Sequence, residues 1–222
     1  MNEQTNQENV NQKTEEAARA AVEDGDDIRE AVRNITLKAL SEGQLDLRRM
    51  REVVQAVLRG ASVGIIMKGT ETKQALKEAM AGVDEALAAS AEASKLAIQE
   101  AAGSIKNFST QNLKQAIEDL RALEDMFLDT VISIAKTSNI TVKDSLNSLA
   151  QHARTSGTLV GKAAAKAAGA LSSQLGQNMR EGVSASAESL LKAGAQISQA
   201  AAGFLDGLAE ALNKTGNNKQ EK

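Results

Sequence analysis

His152 is the one histidine in the 222 residues, set in the segment LAQHARTSG. As a general base it would need a nucleophile and an orienting carboxylate, and as a zinc ligand it would need further nitrogen or sulfur donors. The chain has no cysteine, and position 149, where a di-iron bundle would place a glutamate, is leucine. A second candidate is the acidic run Glu118, Asp119, Glu124, Asp125 and Asp129, which carries enough carboxylates for a divalent ion. Its spacing matches no calcium loop, and Arg121 stands one turn before Asp125, so a solvated face with an ion pair accounts for the charges. A third is the basic cluster Arg48, Arg49 and Arg51, which could meet phosphate. No aromatic residue stands near it for base stacking, and it reads as a solvated helix face. No GxGxxG, GxxxxGK(S/T) or GxSxG sequence occurs. The expectation is a protein that is not an enzyme, holds no cofactor or metal and binds no nucleic acid.

The elements that would have to position any such residue are all of one kind. The chain lacks proline, cysteine, tryptophan and tyrosine, and its aromatic residues are Phe108, Phe127 and Phe204. A sheet protein needs aromatic and β-branched residues on its strands and proline or glycine in its turns. Ala, Leu, Glu, Lys and Gln dominate instead, the residues that lose least on entering a helix. The fold class predicted is all-α: an elongated bundle of long amphipathic helices with a long Ala/Gly/Ser-rich C-terminal helix and disordered polar termini.

Along the chain, residues 1–13 read as a disordered, amide-rich tail. A weak helix follows through TEEAARAAVED before Gly25. Asp26 or Asp27 caps a firmer one, IREAVRNITLKALSE, that ends at Gly43. Further helices are predicted over 46–68, from Thr70 or Thr72 to 106, from Ser109 or Thr110 to 136, over 142–154, and from there to 213. In domain terms, 14–138 is a helical bundle, 139–213 an amphipathic helical region and 214–222 a second polar tail. The longest uncharged stretches, 167–179 and 193–205, are thirteen residues each. A bilayer span needs about 20 mostly apolar residues, so no transmembrane segment is expected. The amide-rich start lacks a signal-peptide pattern, and with zero cysteine a cytoplasmic location is the expectation.

Two kinds of apolar repeat organise these helices. The segment QNLKQAIEDLRALEDMFLDTVISIAK carries a heptad: Leu113, Leu120, Phe127 and Ile134 recur every seven, with Ile117 and Val131 at the complementary position and Glu124 as its break. From residue 160 the period becomes eleven. Val160, Leu171, Gly182, Ala193 and Phe204 form one row; Ala164, Leu175, Ser186, Ile197 and Leu208 a second; Ala168, Met179, Leu190, Ala201 and Leu212 a third. At about 98° per residue these rows span an arc of roughly 65°, and every charged residue between 160 and 212 falls in an arc of about 100° on the opposite side. A shorter version occurs at Leu76, Leu87 and Ile98; Met80, Ala91 and Ala102; Val83, Ser94 and Ile105.

An eleven-residue period keeps an apolar edge straight along a slightly unwound helix, which suits a right-handed bundle or a broad apolar surface. Eight glycines lie in residues 157–207. At about 1 kcal/mol each in a helix interior they weigh against a helix that stands alone, so this segment is expected to firm up against something. Its interaction residues are predicted to be Val160, Leu171, Leu175, Met179, Leu190, Ile197, Phe204, Leu208 and Leu212.

The Ala/Leu/Glu/Lys helix at 70–106, the leucine-rich QNLKQAIEDLRALEDMFLDTV and the Ala/Ser/Gly helix at 156–213 together resemble the phasins, helical proteins that coat polyhydroxyalkanoate granules in bacteria. The chain also looks like bacterial all-helical proteins of similar length without assigned roles. The resemblance implies a non-catalytic, granule-associated protein. The function expected is association with an apolar surface, a granule or lipid, through the 11-residue-period helices. The alternative is a cytosolic helical scaffold or oligomerising adaptor whose stripes pack on each other by self-association.

Overall fold

The computed structural model describes residues 3–42, 46–68, 72–104 and 110–181. Among them are seven helices and no strand: α1 (Glu3–Asp24), α2 (Ile28–Ser41), α3 (Leu47–Lys68), α4 (Thr72–Ser104), α5 (Thr110–Thr137), α6 (Ile140–Ser156) and α7 (Leu159–Glu181). The all-α class follows from the composition. The helix starts follow from side-chain caps. Asp27 Oδ1 accepts from the amide of Glu30 at 3.2 Å, Asp46 Oδ1 from that of Arg49 at 2.7 Å, and Asn139 Oδ1 from that of Val142 at 3.0 Å. Each satisfies an amide that the first turn leaves without a helical partner.

Of the tail expected over residues 1–13, residues 3–13 are instead the first half of α1, which starts at Glu3, and the first two lie outside the described residues. Its helical face is narrow and made of small residues: Thr14, Ala18 and Val22 are buried, one turn apart. Tertiary contact, not composition, makes this segment a helix. The contact is with α3, and it is close because α3 presents Gly60 and Gly64. A β-carbon on Gly60 would collide with the carbonyl oxygen of Glu15, and one on Gly64 would lie 2.6 Å from that of Arg19. Gly82 of α4 plays the same part against α2, where a β-carbon would stand 2.5 Å from the Arg29 carbonyl oxygen. Helices of a chain poor in bulky side chains thus meet backbone to backbone.

The chain divides into two units. The first takes residues 1–87 and 123–160, and its core holds Leu37, Leu40, Leu58, Ile65, Leu76, Phe127 and Leu146. The second takes 88–122 and 161–222; in it Ala91, Leu113, Ile117, Leu120, Ala164, Ala168 and Leu171 are buried. The division expected at residue 138 falls inside the first unit. Small hydroxyl residues occupy several core positions, and each spends its donor on the preceding turn: Thr36 on the Val32 carbonyl, Ser62 on that of Leu58 and Thr130 on that of Met126, at 2.6–2.7 Å. No described helix is long and apolar enough to cross a membrane.

Candidate functional site

The sharpest polar constellation in the first unit is built where α7 begins. α6 ends at Gly157, whose φ of 76° lies in the left-handed region open to glycine, and whose amide donates back to the Ala153 carbonyl at 2.8 Å. The chain then turns directly into α7, leaving a helix start whose amides need acceptors. Two carboxylates from other helices supply them. Glu124 of α5 accepts from both the amide and the hydroxyl of Thr158 with one oxygen, at 3.0 and 2.7 Å. Asp84 of α4 accepts from Leu159 with Oδ2 at 2.9 Å and from Val160 with Oδ1 at 2.8 Å. Three consecutive amides and a buried hydroxyl are thus held by two negative charges, which the positive end of the helix dipole also favours. The arrangement is a mechanical grip.

The interaction stripe starts in this grip. Val160 and Leu171 are fully buried, as are Ala164 and Ala168 of the neighbouring rows, while Lys162 and Lys166 are exposed. Leu175 and Met179 follow on α7, and Leu190, Ile197, Phe204, Leu208 and Leu212 lie outside the described residues. The shorter stripe of α4 also turns inward: Leu76, Met80, Val83, Leu87 and Ala91 are buried, and Ser94 and Ile98 are half-buried. The apolar heptad residues of α5, Leu113, Ile117, Leu120, Phe127, Val131 and Ile134, are all buried, and Glu124 among them is half-buried.

Two expectations about charged residues need correction. Glu124 does not belong to a solvated acidic face; it breaks the heptad because it is the acceptor for Thr158. Arg121 reaches towards Ser172 Oγ at 3.5 Å, and Asp129 pairs with Arg154 at 3.0 Å. In the basic cluster, Arg48 and Arg51 are exposed but Arg49 is buried. At 100° per residue, positions 48 and 51 lie near each other on a helix and 49 points away from 51. The Arg49 guanidinium donates to Asn11 Oδ1 of α1 at 2.7 Å and to the Ala39 carbonyl of α2 at 3.4 Å, and lies 3.9 Å from Glu52. It is a tie between three helices. Sequence reasoning missed Asp84 altogether, since its partner amides are 75 and 76 residues away. The one available signal was the polar break in the heptad at Glu124.

Beside that tie, α1 and α3 leave a cleft of about 480 Å³ walled by Glu8, Glu15, Glu52, Gln55 and Arg59 among others. Among the described residues no group of three histidine, aspartate or glutamate side chains converges as a metal would require. His152 is exposed, one turn before the end of α6.

None of the curated proteins and none of the solved structures with which the chain was compared matches it. One family model does, over residues 2–214, which is nearly the whole sequence. The helical grip and the stripe it carries therefore lie inside one family: the chain belongs to a family of unknown function, DUF6781.

Proposed function

We propose that the protein is a non-catalytic helical scaffold or adaptor, whose apolar stripes pack on one another and whose dealings with partners run through helix faces. The observation that carries this reading is burial. All four stripe residues of α7 whose surroundings are described (Val160, Ala164, Ala168 and Leu171) are buried, and so are those of α4 from Leu76 to Ala91. A stripe that already has neighbours in its own chain is satisfied there and needs no external surface. The cysteine-free composition and the resemblance to bacterial helical proteins support a cytoplasmic, bacterial setting.

The second reading, adsorption to an apolar granule or lipid layer in the manner of the phasins, rests on the rest of the stripe. Its rows continue through Leu190, Ile197, Phe204, Leu208 and Leu212 with every charge on the opposite side. The full-length protein and the double variant Leu190→Lys with Ile197→Lys separate the two. The scaffold reading expects a defined mass in sedimentation, a cooperative melt, no flotation with phosphatidylcholine vesicles or an alkane emulsion, and loss of assembly in the variant. Flotation of the wild type, abolished by the two lysines, would replace it with the surface reading. Unchanged behaviour of the variant in both assays would remove the stripe from either account.

A further inference from the structure

The connection between α1 and α2 is three residues long, Gly25, Asp26 and Asp27. Two of them are left-handed: Gly25 with φ 79° and Asp27 with φ 44° and ψ 57°. For Gly25 this is easy. Asp27 is a helix N-cap, a position that is ordinarily extended, as Asn139 is at the start of α6 with φ −62° and ψ 166°. The tight hairpin therefore holds its cap in a conformation that the same residue would leave if the connection opened.

The helix beyond that hinge is held through one narrow face. α1 buries Thr14, Ala18 and Val22 with little bulk among them, and an open cleft runs between it and α3. Its seat is nevertheless selective. Gly60 and Gly64 offer bare backbone to the carbonyls of Glu15 and Arg19, with Ala18 close against Gly60, so a helix with a larger residue at that place would not sit down. Arg49 adds a specific demand, because its guanidinium donates to Asn11 of the seated helix. The helix of this chain that meets both conditions is α1 itself.

We propose that α1 is an exchangeable helix, and that the face of α3 which seats it accepts the α1 of a second copy of this chain. In the reciprocal dimer every contact of α1 with α2 and α3 is remade between chains, and only the three-residue hinge differs, with Asp27 free to take the extended conformation of an ordinary cap. This exchange belongs to the α1–α3 seat and does not depend on the C-terminal stripe.

Because the chain has no cysteine, it can be tested by placing one. Gln12 of α1 and Gln55 of α3 line the same cleft. Full-length Gln12→Cys and Gln55→Cys chains, distinguished by a mass tag, are mixed at high concentration and treated with a bismaleimide. The expected result is a covalent heterodimer, with the double variant at low concentration giving the link within one chain as the control. Deleting Asp26, which makes the turn too short to close, should tighten dimerisation at least tenfold in sedimentation. Inserting Gly-Ser-Gly after Gly25 should abolish it. The proposal is overturned if the double variant links internally while the mixture yields no heterodimer. It is equally overturned if the Asp26 deletion stays a folded monomer, or if dimers form without a link between the thiols placed at positions 12 and 55. Should the deletion fail to fold, the mixing experiment on chains with an unaltered hinge decides alone.

Discussion

Glu124 sits where a heptad asks for an apolar residue, flanked by Leu120 and Phe127, which are buried. Replacing it with leucine completes the apolar pattern, and on pattern alone the variant should be more stable. The opposite outcome is expected. Thr158 would lose the carboxylate to which its amide and its buried hydroxyl both donate, at about 1–3 kcal/mol for hydrogen bonds to a charged group, so Glu124→Leu should lower the denaturant midpoint. Asp84→Ala should cost about 1–2 kcal/mol in the same measurement, as for other helix caps, by freeing the amides of Leu159 and Val160. Residues of this sort are nearly invisible in sequence. A carboxylate on a helix face looks solvated until the fold brings it an amide, and local spacing carries no trace of a partner 75 residues on. The cap Asp27, whose partner is three residues away, was legible for the same reason reversed.

At the level of helices, periodicity reported the fold well wherever the buried face was wide and apolar. The heptad of α5 and the stripe of α4 are such faces, and their bounds follow from caps and glycines. The first half of α1 was the exception, because its amide-rich residues 3–13 show no apolar period, while the weak helix read from residue 14 docks through the small residues Thr14, Ala18 and Val22. The glycines divide on the same ground. Gly60 and Gly82 each face a neighbouring carbonyl, so Gly60→Ala and Gly82→Ala should each destabilise by about 1–3 kcal/mol through overpacking, seen as a lower melting temperature. Gly169 on α7 has nothing within 4 Å of where a β-carbon would stand. Gly169→Ala should therefore raise helix content and stability by up to about 1 kcal/mol, with the sign opposite to its two counterparts.

For the molecule as a whole, composition announced the class, but the grouping of helices was beyond it. Each unit is assembled from stretches far apart in the chain, and α4 and α5 each contribute to both. A boundary read from composition at residue 138 separates α6 from the core it completes, in which Val142, Leu146 and Ala150 are buried. A chain ending at 138 should therefore lose roughly 5 kcal/mol or more of apolar burial and melt well below one ending at 160, as circular dichroism would read.

The grip on α7 also sets a timetable. Helices α1 to α3 find one another over short stretches of chain, whereas Asp84 meets Leu159 and Val160 only after a loop of 75 residues or more has closed. Loop closure of that length is deferred until nearer contacts are in place, so this latch should shut after the rate-limiting barrier. Asp84→Ala and Glu124→Leu should then speed unfolding in stopped-flow experiments while leaving the refolding limb where it was. The lifetime of the native state would be governed by two carboxylates that take no part in reaching it.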